Sequence, residues 1–183
     1  SSFRASNSEL SKDKFAELWS TTHSQHWGQR YAERVSKYEP YAHCLRNRFF
    51  YETLNSLINA EKIDTIINFG CGYSMYPYVL PAHIKHIEID KKSVVKHKQA
   101  QTDEWIADDI LPERNVTRIG VNFSKPYEDK LGKTLKPLIE NSTTFILLEG
   151  VLFFLDLEAA NRLFKFFDTI QKKDDYIGSV SFQ

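Results

Sequence analysis

The first sixty residues read as helical and polar, with no run of strand-forming residues. The clearest piece is "LRNRFFYETLNSLINA", where Leu45, Phe49, Leu54, Leu57 and Ile58 fall on one face. That spacing predicts a helix whose apolar side packs on whatever follows. After Lys62 the texture changes. Four short apolar segments appear, "DTIINFG", "IKHIEID", "VTRIGVNF" and "TFILLEG", each followed by polar or helical sequence, and a fifth, "YIGSVSF", comes near the end. Between the last two, "DLEAANRLFKFFDTIQ" puts Ala160, Leu163, Phe164, Phe167 and Ile170 in one stripe, with Asp156 as its N-cap. A weaker stripe, Leu131, Leu135, Leu138 and Ile139, runs through "YEDKLGKTLKPLIEN" despite Gly132 and Pro137. Strands alternating with helices predict right-handed crossovers and an α/β fold with a mostly parallel sheet covered on both faces. No repeat or low-complexity tract is visible. A chain of 183 residues suits a single domain, 1–183, with a helical segment at 1–61 and the sheet core at 62–183.

Composition mainly excludes. Twenty-four basic residues balance twenty-four acidic ones, so no global field gathers phosphate backbones, and nucleic acid is not an expected partner. The longest apolar block, Phe145 to Leu155, is interrupted by Glu149 and Gly150 and falls short of the ~20 residues a membrane helix needs, so no membrane partner is expected either. Cys44 and Cys71 lie far apart without metal-ligand spacing, which argues against a disulfide framework or a metal site and for a reducing, cytoplasmic location. The sequons at Asn115 and Asn141 read as chance, and the abundant aromatics (13 Phe, 9 Tyr, 3 Trp) read as core.

In open parallel sheets, ligands bind beyond the carboxyl ends of the strands, where strand order reverses. The stretch "IINFGCGYSMYPYVL" therefore stands out: Gly70 and Gly72 directly follow the first strand, where missing side chains allow a sharp bend and a close approach. A tight turn with no ligand would use the same residues. A dinucleotide fingerprint would need a third glycine where Met75 stands, followed by a helix N-terminus able to face a pyrophosphate, and Pro77 fits that poorly.

Three segments together resemble the class I S-adenosylmethionine-dependent methyltransferases, and more narrowly the leucine carboxyl methyltransferase family with its bacterial O-methyltransferase relatives. "INFGCGYSMYPYVL" resembles the family's first motif, "HIEID" its second-strand acidic motif, and "FILLEGVLFFLDLEAANRLF" its fourth-strand Glu-Gly motif and following helix. The matches extend from about Leu45 to Phe167. The resemblance implies a Rossmann-like, doubly wound sheet of about five strands in the order 3-2-1-4-5, with S-adenosylmethionine as cofactor. It implies binding at Gly70, Cys71 and Gly72. It gives Asp90 the ribose hydroxyls, with a helix cap or a solvated strand end as the alternative role, and Glu149 the cofactor ammonium, with a protein salt bridge as the alternative. An arginine before the first strand, Arg46 or the nearby Arg48, would hold the cofactor carboxylate, and Asn122 and Phe123 would flank the adenine. The family usually has Asp-Leu at that last site, and Asn still offers a side-chain oxygen.

Two departures are larger. The family's first motif continues Asp-Thr-Arg, whereas here Gly72 is followed by Tyr73-Ser74-Met75. The sequence also stops after its fifth strand, where relatives add two strands and a substrate-covering segment, so it reads as a reduced member or one lacking its C-terminal part. The strand from Tyr176 to Phe182 would then be an edge, open to a homodimer partner or a missing segment.

The implied reaction is O-methylation of a carboxylate or hydroxyl on a small molecule or peptide, and it needs no catalytic triad. No catalytic residue emerges. Cys71 has no histidine beside it in sequence and reads as small and buried. His23 and His26 face solvent or substrate, the basic "DKKSVVKHK" is a solvated helix surface, and Tyr31, Tyr38 and Tyr41 line an acceptor pocket or simply pack. A nicotinamide-binding oxidoreductase domain and a catalytically silent methyltransferase-like interaction module remain as alternatives.

Overall fold

The computed structural model describes residues 2–180. The chain divides into two compact units: Ser1–Ala60 with Tyr73–Ala82, and Glu61–Gly72 with His83–Gln183.

The second unit is a five-stranded, all-parallel sheet. Its strands are β1 (Thr65–Phe69), β2 (Lys85–Asp90), β3 (Val116–Gly120), β4 (Thr144–Leu148) and β5 (Tyr176–Ser179), in the order β3-β2-β1-β4-β5. These coincide with the five apolar segments of the sequence. The order is the expected one. β1 and β4 are buried at every position, as central strands covered on both faces must be. Register lines up Ile87, Ile67 and Ile146 across three strands, and Phe69 beside Ile89. Against this row pack α7 (Glu128–Ile139) and α8 (Leu157–Ile170), which contribute Leu131, Leu135, Leu163, Phe166, Phe167 and Ile170 to one core. The ring of Phe167 meets Phe69 edge-on at 4.8 Å. Asp156 caps α8 as expected, its carboxylate accepting from the Ala159 amide at 2.7 Å. Within α8 the stripe shifts by a step: Phe166 is buried and Phe164 is 41% exposed. Of the predicted fifth strand, Tyr176–Ser179 pair with β4 at the sheet edge, while 181–183 lie outside the described residues.

On the other side lies α6 (Lys92–Ala107), and here the expectation of a wholly solvated surface for "DKKSVVKHK" is overturned. Lys98 is fully buried. Its ammonium sits 2.6 Å from Glu88 of β2, whose second carboxylate oxygen accepts from Arg118 of β3 at 2.9 Å. The α6 face turned to the sheet is therefore a buried ion triad, where each charge is tolerated because its partners are present.

The first unit is helical, as expected. It contains α1 (Ser2–Ala5), α2 (Ser8–Ser11), α3 (Thr22–Arg34), α4 (Glu39–Asn59) and the short α5 (Tyr76–Val79). α4 begins six residues before the predicted helix, and its buried line is Cys44, Asn47, Phe50, Leu54 and Ile58. Leu45 and Phe49 instead lie outside, 53% and 60% exposed, in phase with the exposed Tyr38 and Tyr41. Two stripes share this helix, and α1 and α2 cover the one holding Cys44 and Asn47. Tyr31 stacks on Trp27 at 5.3 Å, and His23 and His26 are exposed.

Candidate cofactor site

The carboxyl ends of β1, β2 and β4, and the turn after β3, surround a cavity of about 380 Å³ in the sheet unit. Six of the eight residues expected at the site line it: Gly70, Gly72, Asp90, Asn122, Phe123 and Glu149. It lies where order reverses about β1, the position at which open parallel sheets receive ligands.

The two glycines serve different ends. Both adopt left-handed φ, +70° at Gly70 and +47° at Gly72, which disfavours any other residue. A Cβ on Gly70 would meet Val151 Cβ at 2.7 Å and Cγ2 at 2.8 Å, so that glycine lets the turn after β1 close on the turn after β4. A Cβ on Gly72 would meet nothing within 4 Å. Only this second glycine leaves open space on the cavity wall.

The amides of the turn are all committed. Gly70 and Cys71 both donate to the Ile89 carbonyl, at 2.8 and 3.2 Å, and Gly72 donates to Asp90 Oδ2 at 2.7 Å. Asp90 Oδ1 accepts from the Lys91 amide at 2.6 Å. The carboxylate is thus fixed in orientation by two backbone donors. A dinucleotide site would use such amides on a pyrophosphate, ahead of a helix N-terminus. Here the helix after the turn is α5, four residues long with Pro77 in its first turn.

Cys71 does not line the cavity. Its side chain is 3% exposed, and burial pushes the thiol up to about 12, so it stays protonated and packs as a small apolar group. Arg46 belongs to α4 of the helical unit, where its guanidinium donates to His43 Nδ1 at 3.0 Å. Burial, then the charge of Arg46, depress the His43 pKa to about 4, so the imidazole is neutral and accepts at that nitrogen.

The turn after β3 explains the Asn-Phe pair. Asn122 Oδ1 accepts from the Ser124 amide at 3.0 Å, an Asx turn that either Asn or Asp can make. Phe123 is buried, its ring 6.3 Å from Phe69 and edge-on to Tyr127 at 5.3 Å, so it anchors the turn in the core while lining the cavity. Glu149 follows the last residue of β4 and is half-buried.

The rest of the wall was not singled out from sequence. Val151, Phe154 and Leu155 give it an apolar side, Phe154 being 87% exposed, and Gly150 turns the chain there with φ +88°. The signal was present in "EGVLFF", but the spacing of a short 3₁₀ turn (Val151–Phe154) matches neither helix nor strand period. Among the described residues that line the cavity, Lys91 is the one cationic side chain, beside two carboxylates, Asp90 and Glu149.

No curated protein matches the chain. Among solved structures, an O-methyltransferase family protein from Burkholderia thailandensis is similar at 10% identity and a TM-score of 0.42. The match covers 70% of this chain, which spans only 39% of that protein. The family model for leucine carboxyl methyltransferases matches residues 3–168, nearly the whole sequence, and so the chain belongs to the leucine carboxyl methyltransferase family.

Proposed function

We propose that the cavity binds S-adenosylmethionine and that the chain serves methyl transfer to an oxygen of a carboxylate or hydroxyl on a small molecule or peptide. The observation that carries this is the state of the glycine turn. Its three amides are spent on β2, and the charged groups among the described residues of the lining are two carboxylates and one ammonium. A pyrophosphate would find no free amide at Gly70, Cys71 or Gly72 and would meet Asp90 and Glu149 at close quarters. A cationic ligand bearing a diol suits the same groups.

Asp90 has about four acceptor sites, of which the Gly72 and Lys91 amides take two, leaving capacity for ribose hydroxyls. Because those amides hold it, the carboxylate need not reorient on binding. Glu149, at the end of a fully buried strand, suits the ammonium of the methionine part. The volume falls within the roughly 300–1,000 Å³ of small-molecule pockets. When bound, the cofactor supplies an electrophilic methyl group on a sulfonium.

The chain's own residues then orient the reactants and exclude water, with Val151, Phe154 and Leu155 forming the apolar side. A carboxylate acceptor is ionised at neutral pH, so no general base is needed for it, and alignment alone is worth up to roughly 7–11 kcal/mol. Titration calorimetry with S-adenosylhomocysteine and, separately, NADH tests the reading. Only the former should bind, and Asp90→Ala should weaken it by roughly 10- to 150-fold, the worth of hydrogen bonds to a charged group. Binding of NADH alone would overturn it, and tight cofactor binding without methyl transfer to small acids or phenols would leave a silent module.

A further inference from the structure

The wall of the cavity after β3 is a tight turn. Lys125 donates its amide to the Asn122 carbonyl at 3.1 Å and Ser124 donates to Asn122 Oδ1 at 3.0 Å, so Asn122, Phe123 and Ser124, which all line the cavity, are bent back on themselves. Both bonds are local, and both donor residues are exposed. Water competes for bonds of this kind, and by themselves they hold a loop only loosely.

A side chain of α8 holds the turn from outside. Arg162 Nη2 donates to the Lys125 carbonyl at 3.2 Å. From the same guanidinium, Nε donates to Glu128 Oε1 at 2.9 Å, and Nη2 stands 2.8 Å from that oxygen. Glu128 passes the contact on, because its Oε2 accepts from the Tyr127 amide at 2.7 Å. Arg162 Cζ also lies over the Tyr127 ring, 5.7 Å from its centroid, and that ring meets Phe123 edge-on at 5.3 Å. Three routes therefore join α8 to the turn: the Lys125 carbonyl, the Tyr127 backbone by way of Glu128, and the Tyr127 ring against Phe123. Every residue in them belongs to the sheet unit.

The Arg162 and Glu128 side chains are each 31% exposed, and an ion pair that open to solvent adds little to stability. Its value is geometric. The neighbours of Arg162 on α8, Leu163 and Phe166, are buried in the core, which fixes where the side chain starts. Guanidinium donors form a rigid fork, so once Glu128 sets one direction, the other, toward the Lys125 carbonyl, is set as well. That second bond goes to main chain, so what it fixes is the course of the backbone.

We propose that Arg162 is a positioning residue for the turn after β3: paired with Glu128, it holds the Lys125 carbonyl and the Tyr127 ring, and so sets where Asn122 and Phe123 stand in the cavity wall. In the cofactor reading on which this role rests, that wall meets the adenine. A residue of α8 thus sets cofactor affinity without touching the cofactor.

The test combines amide hydrogen exchange of the ligand-free chain, thermal unfolding, and calorimetric titration with S-adenosylhomocysteine and with methylthioadenosine, which keeps the adenosine but lacks the amino-acid part. It compares wild type, Arg162→Gln, Arg162→Lys and, as control, Lys165→Gln, which removes the same charge one turn along α8. Arg162→Gln should speed exchange of the Ser124 amide and weaken both ligands by a common factor, each change about 2- to 10-fold, the worth of an ordinary hydrogen bond. Exchange of the Gly72 amide should not change, and the melting temperature should fall by no more than about 4 °C, as for an exposed pair. An arginine that merely supported the fold would lower the melting temperature further and speed Gly72 together with Ser124. Arg162→Lys keeps the charge but lacks the fork, so its exchange and its affinities should fall between those of wild type and Arg162→Gln. Lys165→Gln should match wild type throughout. Unchanged Ser124 exchange in Arg162→Gln would overturn the proposal, as would faster exchange with unaltered affinity, or a loss confined to S-adenosylhomocysteine. If the wild type itself bound neither ligand, the cofactor reading would fall, while exchange at Ser124 would still decide whether Arg162 holds the turn.

Discussion

Replacing each glycine of the turn by alanine separates two costs that the sequence motif conflates. In Gly70→Ala the new methyl group must hold φ at +70° and sit 2.7 Å from Val151 Cβ and 2.8 Å from its Cγ2. The left-handed conformation costs about 1–2 kcal/mol and overpacking of this kind a further ~1–3, for a total of roughly 2–5 kcal/mol. In Gly72→Ala only the conformational part applies, because φ is +47° and the Cβ position is open. For a chain of this size each kcal/mol lowers the melting temperature by about 2–4 °C, so Gly70→Ala should melt roughly 4–20 °C lower and Gly72→Ala roughly 2–8 °C lower. Cofactor affinity should rank the other way, since of these two lining residues only Gly72 has open space where the methyl would stand. A double-mutant cycle measured by urea unfolding isolates the clash. Val151→Gly removes both contacting atoms, so it should offset about 1–3 kcal/mol of the Gly70→Ala loss and leave the conformational part. Strict additivity of Gly70→Ala and Val151→Gly, or equal destabilisation by the two alanines, would refute the assignment of Gly70 to packing and Gly72 to the cavity.

Other expectations concern the frame around the site. Glu88→Ala removes the carboxylate that the fully buried Lys98 and the nearly buried Arg118 share, and should cost about 3–5 kcal/mol in urea unfolding. Lys172 donates to the Ile139, Glu140 and Ser142 carbonyls at 2.9, 3.1 and 2.6 Å, capping the C-terminal end of α7, so Lys172→Met should cost about 1–3 kcal/mol by the same measurement. Burial, then the charges of Lys98 and Arg114, depress His86 from its ordinary 6.5 to about 3. The unfolded chain therefore takes up a proton that the folded one refuses: the stability is fully present above pH 6.5 and drains away as pH falls toward 3, at about 1.4 kcal/mol per pH unit. His86→Leu, which removes a buried Nε2 with no hydrogen-bond partner, should flatten this part of the stability profile, and an unchanged slope would assign it to other groups.

The sheet was legible because its signals are local. Five apolar runs, each short enough for a strand and separated by helical spacing, suffice for a parallel α/β arrangement, and the residue that ends a buried strand is almost forced to the rim where ligands bind. Asp90 and Glu149, which the family resemblance put at the site, stand at the ends of two of these strands, and both line the cavity. What stayed hidden depends on a partner distant in sequence. Lys98 reads as one more solvated lysine because Glu88 and Arg118, which permit its burial, lie in other elements. On α4 two stripes satisfy helical periodicity, and nothing in the helix itself says that the one with Cys44 and Asn47 is buried while Leu45 and Phe49 face solvent. The same holds for Gly70, whose need for a missing side chain comes from Val151, eighty-one residues later.

Asn122, by contrast, finds its partner two residues along the chain. In sequence it departs from the Asp usual in the family while still offering a side-chain oxygen. In the structure its oxygen accepts from the Ser124 amide, so the acceptor that shapes the turn is retained and only a charge is lost. With Asp90 and Glu149 already in the lining, a third carboxylate would add negative charge to the wall that a cationic cofactor meets. Asn122→Asp should accordingly leave the turn intact, with unchanged amide exchange at Ser124. Binding of the cationic S-adenosylmethionine should become more sensitive to salt than in the wild type, because the added carboxylate strengthens an attraction that salt screens. A variant that lost Ser124 protection would show that the side-chain oxygen is not what holds the turn. One whose binding followed the wild-type salt dependence would show that the added charge is not felt by the ligand, and with that the cavity could not be treated as a single acidic site.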